Sequence, residues 1–247
     1  MAIFRSPNPN QVSYGEAIGI ILLKTQTPAI PGDVANATSF SYPVRYIVVE
    51  DASIRLIFTD PRSVLNQFIG AAKTLESEGV MAITGDCGFM AALQREVADS
   101  VNVPVFMSSL LQIPIVLKML RRKQKLGMIT ANSRALTRMH FEGVGITDEE
   151  IDRLIIGGME HRKHFKESFL AESSEFDPEL IEEEVVSLGL EMLSKEPEIG
   201  AFLVECSVLP PYSPALQSAT RLPVFDFLTL IDFVHTAVVK TDKVFYL

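Results

Sequence analysis

Hydrophobic positions along this chain follow two alternating patterns. Short, mainly apolar runs recur at residues 18–23, 45–49, 80–84 and 103–107, and again at 126–130, 153–156, 201–205 and 222–225. Such runs, with no polar residue at every second place, mark strands buried on both faces. Longer amphipathic stretches lie between most of them. Across 61–77 the apolar residues fall at 64, 65, 68, 69, 72 and 75, a helical period. Residues 180–193 repeat that period and carry acidic residues early, where the helix dipole favours them. Alternation of this kind predicts an α/β fold, a parallel sheet covered by helices on both faces.

The pattern also restarts. Leu126-Gly127-Met128-Ile129 repeats Ile18-Gly19-Ile20-Ile21. This divides the chain into an N-terminal α/β half, residues 1–115, and a C-terminal α/β half, residues 116–247. Residues 229–247 read as a helix that packs back on the first half. At the junction, Ser109 is placed to cap a helix with Gln112 three residues on, a capping-box spacing, and Pro114 is tolerated near that helix's start. Arg121, Arg122, Lys123 and Lys125 close it as a solvated basic end. One stretch fits neither period. Residues 25–43 hold Pro28, Pro31, Pro43 and Gly32 among Ser, Thr and Asn, too long for an ordinary connection and placed where open parallel sheets bind ligands. It is expected to be a functional loop or lid.

Composition narrows the function. At 247 residues with 47% hydrophobic content, the chain can bury a large core. A net charge of −9 argues against nucleic acid as a partner. The early apolar run at 17–23 sits behind Glu16 and does not read as a leader. No run approaches the roughly 18–20 apolar residues of a membrane span. A cytoplasmic protein is expected, with its two cysteines as thiols rather than a disulfide. His161 and His164 lack further ligands at metal spacing, and His140 and His235 lie in helix-like apolar surroundings as structural residues.

Those two cysteines carry the chemistry. Cys87 and Cys206 each follow an apolar run and an acid, Asp86 or Glu205, and each is followed 17 residues later by Pro-Val-Phe, at 104–106 and 223–225. A lone cysteine in an apolar run is often a small core residue. Matched placement in a repeat argues otherwise, because two related strand ends can aim two thiols at one point between the halves. That arrangement takes a proton from one face of a carbon and returns it on the other. The neighbours are suited to a ligand: Thr84, Gly85, Asp86 and Gly88 around the first thiol, Glu205 and Ser207 around the second, and Thr130, Asn132 and Ser133 at the end of the second half's first strand. Capping of the following helix is the competing role for Thr130, Asn132 and Ser133.

Thr84-Gly85-Asp86-Cys87-Gly88-Phe89 and Glu205-Cys206-Ser207-Val208-Leu209-Pro210-Pro211, with the segment from Pro31 to Val44, resemble the aspartate/glutamate racemase superfamily over residues 18–233. Hydantoin racemase, maleate isomerase and arylmalonate decarboxylase belong to it. The resemblance implies two flavodoxin-like parallel-sheet halves related by a pseudo-twofold. It implies Cys87 and Cys206 as the catalytic pair, Thr130 and Asn132 at a carboxylate-binding position, and neither metal nor pyridoxal phosphate. Gly88 and Phe89 stand where its amino-acid racemases carry a small polar residue such as Asn or Thr, and Ser207 and Val208 replace Thr with His or Glu. A different, less polar substrate is implied. The leading expectation is an isomerase: a cofactor-independent racemase or epimerase exchanging a proton α to a carboxylate or carbonyl. The alternatives are a maleate-type isomerase or a decarboxylase using one nucleophilic or proton-donating cysteine, and a non-catalytic small-anion binder. The expected partner is a small anionic or carbonyl-containing substrate, with neither nucleic acid nor membrane involved, and a homo-oligomer is compatible with all of these.

Overall fold

The computed structural model describes residues 8–240. Eight strands among these residues form two parallel sheets. The first contains β1 (Ile18–Leu23), β2 (Val44–Val49), β3 (Ala82–Gly85) and β4 (Val105–Phe106) in the order β2-β1-β3-β4. The second contains β5 (Lys125–Thr130), β6 (Leu154–Gly158), β7 (Ile199–Val204) and β8 (Val224–Phe225) in the matching order β6-β5-β7-β8. All pairings are parallel. The α/β reading from two halves with repeated topology is therefore the observed architecture. Strands β4 and β8 are shorter than their apolar runs, two residues each, because Pro104 and Pro223 cannot donate to a ladder.

Both faces of each sheet are covered. In the first half, α1 (Ile54–Thr59), α2 (Leu65–Ser77) and α3 (Gln94–Ala98) follow β2 and β3, and Phe68 and Leu75 of α2 pack on Ile21 and Ile83. The junction helix α4 (Ile113–Met119) leaves the first half: its Ile113, Val116 and Leu117 pack on Leu126, Met128, Ala201 and Leu203 of the second sheet. Helices α5 (Arg138–Gly143), α6 (Asp148–Ile151), α7 (Lys163–Phe165), α8 (Pro178–Lys195) and α9 (Ser213–Thr220) complete that half. Then α10 (Phe227–Val238) crosses back, and its Phe227, Leu230 and Ile231 pack on Ile18, Ile20, Ala82 and Phe106 of the first sheet. Each half thus gives its last helix to the other half's sheet, through apolar residues at the same i, i+3, i+4 spacing. Residues 241–247, assigned to that final helix from the sequence, lie outside the described residues.

The cap at the junction differs from the sequence expectation. Ser108 accepts from the N–H of Leu110 at 3.2 Å and starts a 3-10 turn, Ser109–Gln112, ahead of α4. Ser109 instead donates across the molecule to the carbonyl of Glu205 at 3.0 Å, and Gln112 donates to the carbonyl of Asp226 at 2.9 Å. Both side chains are spent on joining the halves. Among the described residues no helix is long and apolar enough to cross a membrane.

Candidate active site

In each sheet the chain leaves the central pair of strands in opposite directions, β1 with β3 and β5 with β7. The carboxyl ends of such a pair open a crevice. One residue beyond β3 stands Asp86, and one beyond β7 stands Glu205; each acid bridges its own crevice. Both oxygens of Asp86 accept from the N–H of Leu23, at 3.1 Å each. Glu205 Oε2 accepts from Thr130 Oγ1 at 2.8 Å, with a further bond from the N–H of Ala131. The next residue in each half is a cysteine. Cys87 opens the 3-10 turn Gly88–Leu93, and Cys206 stands in the turn before Pro210–Tyr212.

Both cysteines are free thiols and line one cavity between the halves. Asp86 and Ser207 join its rims, the Ser207 hydroxyl donating to the Asp86 carbonyl. The loop after β1 covers it. Val34 donates to the carbonyl of Ser207 at 3.3 Å, and the Tyr46 hydroxyl donates to the carbonyl of Val34 at 2.9 Å, so the loop is tied to both halves. Within it, Ser39 accepts from Gly32 and donates to the carbonyl of Asp33, at 2.8 and 2.6 Å. Gly32 has φ +100 and lies against Pro211, a left-handed turn that a β-carbon would strain twice over. This turn drives Asp33 into the cavity, where it is 4% exposed.

The cavity holds about 90 Å³. Its walls are largely apolar. Phe58 and Phe89 meet at 4.4 Å between ring centres on one side, and Phe165 and Phe169 at 5.1 Å on another. Among the described residues three carboxyls line it, Asp33, Asp86 and Glu205, and no lysine, arginine or histidine does. His140 stands behind Phe89, its ring edge on to it at 5.0 Å. Among the described residues no three of His, Cys, Asp and Glu are grouped to hold a metal ion.

Electrostatics follow from that lining. Burial pushes the Glu205 carboxyl up to about 7, against the bonds from Thr130 and Ala131. Burial likewise takes Asp33 up to about 7 and Asp86 well above the usual carboxylate range. Both thiols are pushed well up, by burial first and then by Glu205; Cys206 and Asp86 add to this at Cys87, Asp33 and Asp86 at Cys206. One backbone N–H opposes the shift at each sulfur, from Phe89 at Cys87 and from Val208 at Cys206. The two sulfurs are held alike, two residues before their donors.

Of the residues singled out from the sequence, Cys87, Cys206, Asp86, Gly88, Glu205 and Ser207 line the cavity. Thr84, Gly85, Thr130, Asn132 and Ser133 do not. Thr84 donates to the carbonyl of Phe106 at 2.7 Å inside the sheet, and Gly85 is filled in by Met90. Thr130 reaches the cavity only through Glu205. Asn132 accepts from the N–H groups of Arg134 and Ala135, and Ser133 is bound to Glu160 through both its N–H and its hydroxyl. Neither caps the following helix, whose N-cap is Thr137: Asn132 closes a local turn and Ser133 ties the strand end to Glu160. Sequence reasoning missed Asp33, Phe58, Phe165 and Phe169. The loop holding Asp33 stood out by its length; the phenylalanines gave no signal apart from core.

No family model matches the chain. It is 30% identical over 237 residues to dimethylsulfoniopropionate lyase of Durusdinium sp. clade D, covering 93% of this chain and 76% of that protein. It is 35% identical over 222 residues to dimethylsulfoniopropionate lyases 7 and 3 of Emiliania huxleyi (strain CCMP1516), 86% of this chain but 64% and 57% of theirs. The chain thus spans about three fifths of those two. Among solved structures, arylmalonate decarboxylase matches with TM-score 0.55 at 13% identity, over 92% of this chain and 93% of that one. A glutamate racemase isoform from Bacillus anthracis matches at 0.59 and 12%, over 90% and 82%. An aspartate racemase homologue from Pyrococcus horikoshii OT3 matches at 0.53 and 18%, over 88% and 98%. The chain has the fold of the aspartate/glutamate racemase superfamily. The isomerase expectation is overturned, because the sequence relatives are named as lyases. The fold is common to decarboxylase and racemase neighbours, so it does not by itself separate one activity from another.

Proposed function

Because the chain belongs to the dimethylsulfoniopropionate lyase family, we propose that it cleaves dimethylsulfoniopropionate, or a sulfonium acid of the same build, by β-elimination. One thiolate removes the proton α to the carboxylate and becomes a thiol. The freed pair forms the Cα=Cβ bond, and the Cβ–S bond breaks with its electrons going to sulfur. The products are neutral dimethyl sulfide and acrylate, and total charge is unchanged. A racemase must return a proton from the opposite face; an elimination ends when the leaving group departs. One of the two cysteines therefore suffices as base.

The observation that carries this reading is the lining: two thiols and three carboxyls in an apolar, phenylalanine-walled cavity with no cationic side chain among the described residues. A dicarboxylate would enter with no positive partner, at a heavy desolvation cost. A dimethylsulfonium group suits the site. It is a permanent cation with no N–H to satisfy, so apolar walls deprive it of no hydrogen bonds, and aromatic faces attract it. Its charge also supplies what the chain's own residues lack. A positive group beside a thiol favours the thiolate, opposing the push from burial and the carboxyls.

The test is headspace detection of dimethyl sulfide from the purified chain with dimethylsulfoniopropionate. We expect turnover in the wild type, a loss of about 10³-fold or more in one of C87S and C206S, and a smaller loss in the other. Wild-type protein that releases no dimethyl sulfide, or two single mutants that both keep full activity, would sink the reading.

A further inference from the structure

The glycine at position 88 has a structural cause. A β-carbon there would collide with Oε1 of Glu205, so the carboxyl of the second half occupies the space of a side chain on the first. Glu205 is wholly buried and lines the cavity. Its two oxygens are treated differently. Oε2 accepts from Thr130 Oγ1 at 2.8 Å, and the Ala131 N–H favours the charged form of the carboxyl. Oε1 is buried without any hydrogen-bond partner. Leaving an ionised oxygen so is costly, whereas a protonated one needs only an acceptor, which a ligand in the cavity that Glu205 and Gly88 both line would bring. Asp86, the counterpart in the other half, has no such spare atom, since both its oxygens are bound to Leu23. The extra methylene of glutamate breaks the symmetry of the site.

We propose that Glu205 is a catalytic residue in its neutral form: it carries its proton on Oε1 and donates that hydrogen to the carboxylate of the substrate. Resting on the elimination reading, this gives the site its polarity. The carboxylate end lies against Glu205 and Gly88, leaving the phenylalanine walls to the sulfonium. As the α-proton leaves, negative charge flows onto the substrate carboxylate, and a fixed donor there stabilises it. The proton stays on Glu205 throughout, and no bond to it is made or broken. A neutral Glu205 also removes one of the negative charges that hold Cys87 and Cys206 protonated.

The experiment uses the full chain with E205Q and E205M. Glutamine keeps a carbonyl oxygen toward Thr130 and Ala131 and an N–H toward the cavity. Its kcat should stay within about 10-fold of wild type, while E205M, with no donor, should lose about 10²- to 10³-fold in kcat with little change in KM. The titratable groups facing Glu205 are Cys87 and Cys206, with Asp86 and Asp33 acting on those thiols in turn; all persist in E205Q, so a change in pH profile between the two proteins reports position 205. Wild-type activity should fall as Glu205 ionises, and that fall should be missing from E205Q. Infrared difference spectra should give a protonated-carboxyl C=O band in the wild type that E205Q lacks. An inactive E205Q, with wild-type activity rising as the carboxyl ionises, would mean Glu205 acts as an anion and overturns the proposal. So would absence of the band, whether or not the variants fold well enough to assay. A wild type with the band but without dimethyl sulfide release overturns the elimination reading alone and leaves the proton on Glu205.

Discussion

Asp33 and Glu205 each have a carboxyl raised to about 7 by burial, and this has a sign in stability. A raised carboxyl holds its proton more tightly folded than unfolded. Between about 4, the unfolded value, and about 7, the folded chain binds more protons than the unfolded one, so stability falls as pH rises through that window and levels off above it. Each group contributes on the order of 3 kcal/mol to that fall. Glu16, Glu160 and Glu191 are held below the usual range by Ser13, Ser133 and Arg162, and their contribution is lost only on acidification below about 4. Urea unfolding should therefore give a lower stability at pH 8 than at pH 5, with a shallower difference in E205Q. Greater stability at pH 8 would contradict the protonated carboxyls. Cys87 and Cys206 were legible in the sequence because a repeat marks them twice. Asp33 was not, since one acid in a loop looks like any solvated charge until Gly32 and Pro211 turn it inward.

At the level of elements, the strands announced themselves through their length and apolar content, and the helices 61–77 and 180–193 through their period. What sequence could not separate was core from cavity. Phe165 and Phe169 lie where α7 widens into a π-helix, Lys166–Leu170, and one apolar face serves both the second core and the cavity. Such widening re-aims side chains and recurs at functional sites. The stretch 25–43 broke the pattern and indeed covers the cavity, held by Tyr46 and Ser207. Y46F removes the bond to the Val34 carbonyl without removing the ring. We expect it to raise KM several-fold with kcat nearly unchanged, at a stability cost of about 1 kcal/mol. An unchanged KM would mean that the loop is positioned by its other anchors alone.

Across the whole molecule, α4 and α10 are exchanged: each follows the Pro-Val-Phe run of its own half and covers the sheet of the other. Ile113, Val116 and Leu117 on one side, and Phe227, Leu230 and Ile231 on the other, are each buried in the opposite core. The first sheet without α10 exposes Ile18, Ile20 and Phe106, and losing three such buried side chains costs roughly 5–8 kcal/mol, comparable with the whole stability of a domain. The repeat in the sequence was enough to reveal two halves, but not this crossing, because an amphipathic helix does not record which sheet it faces. The arrangement is that of a domain-swapped dimer joined into one chain. A free half would carry one thiol and half a cavity, and would meet its partner by trading helices. Cut between α4 and β5, at residues 120–124, so that each fragment carries the helix that covers the other's sheet, the two should stay unfolded apart and regain circular dichroism and a shared, titratable pair of thiols when mixed. A first fragment that folds stably alone would show that the traded helix is a cover and not a fastening.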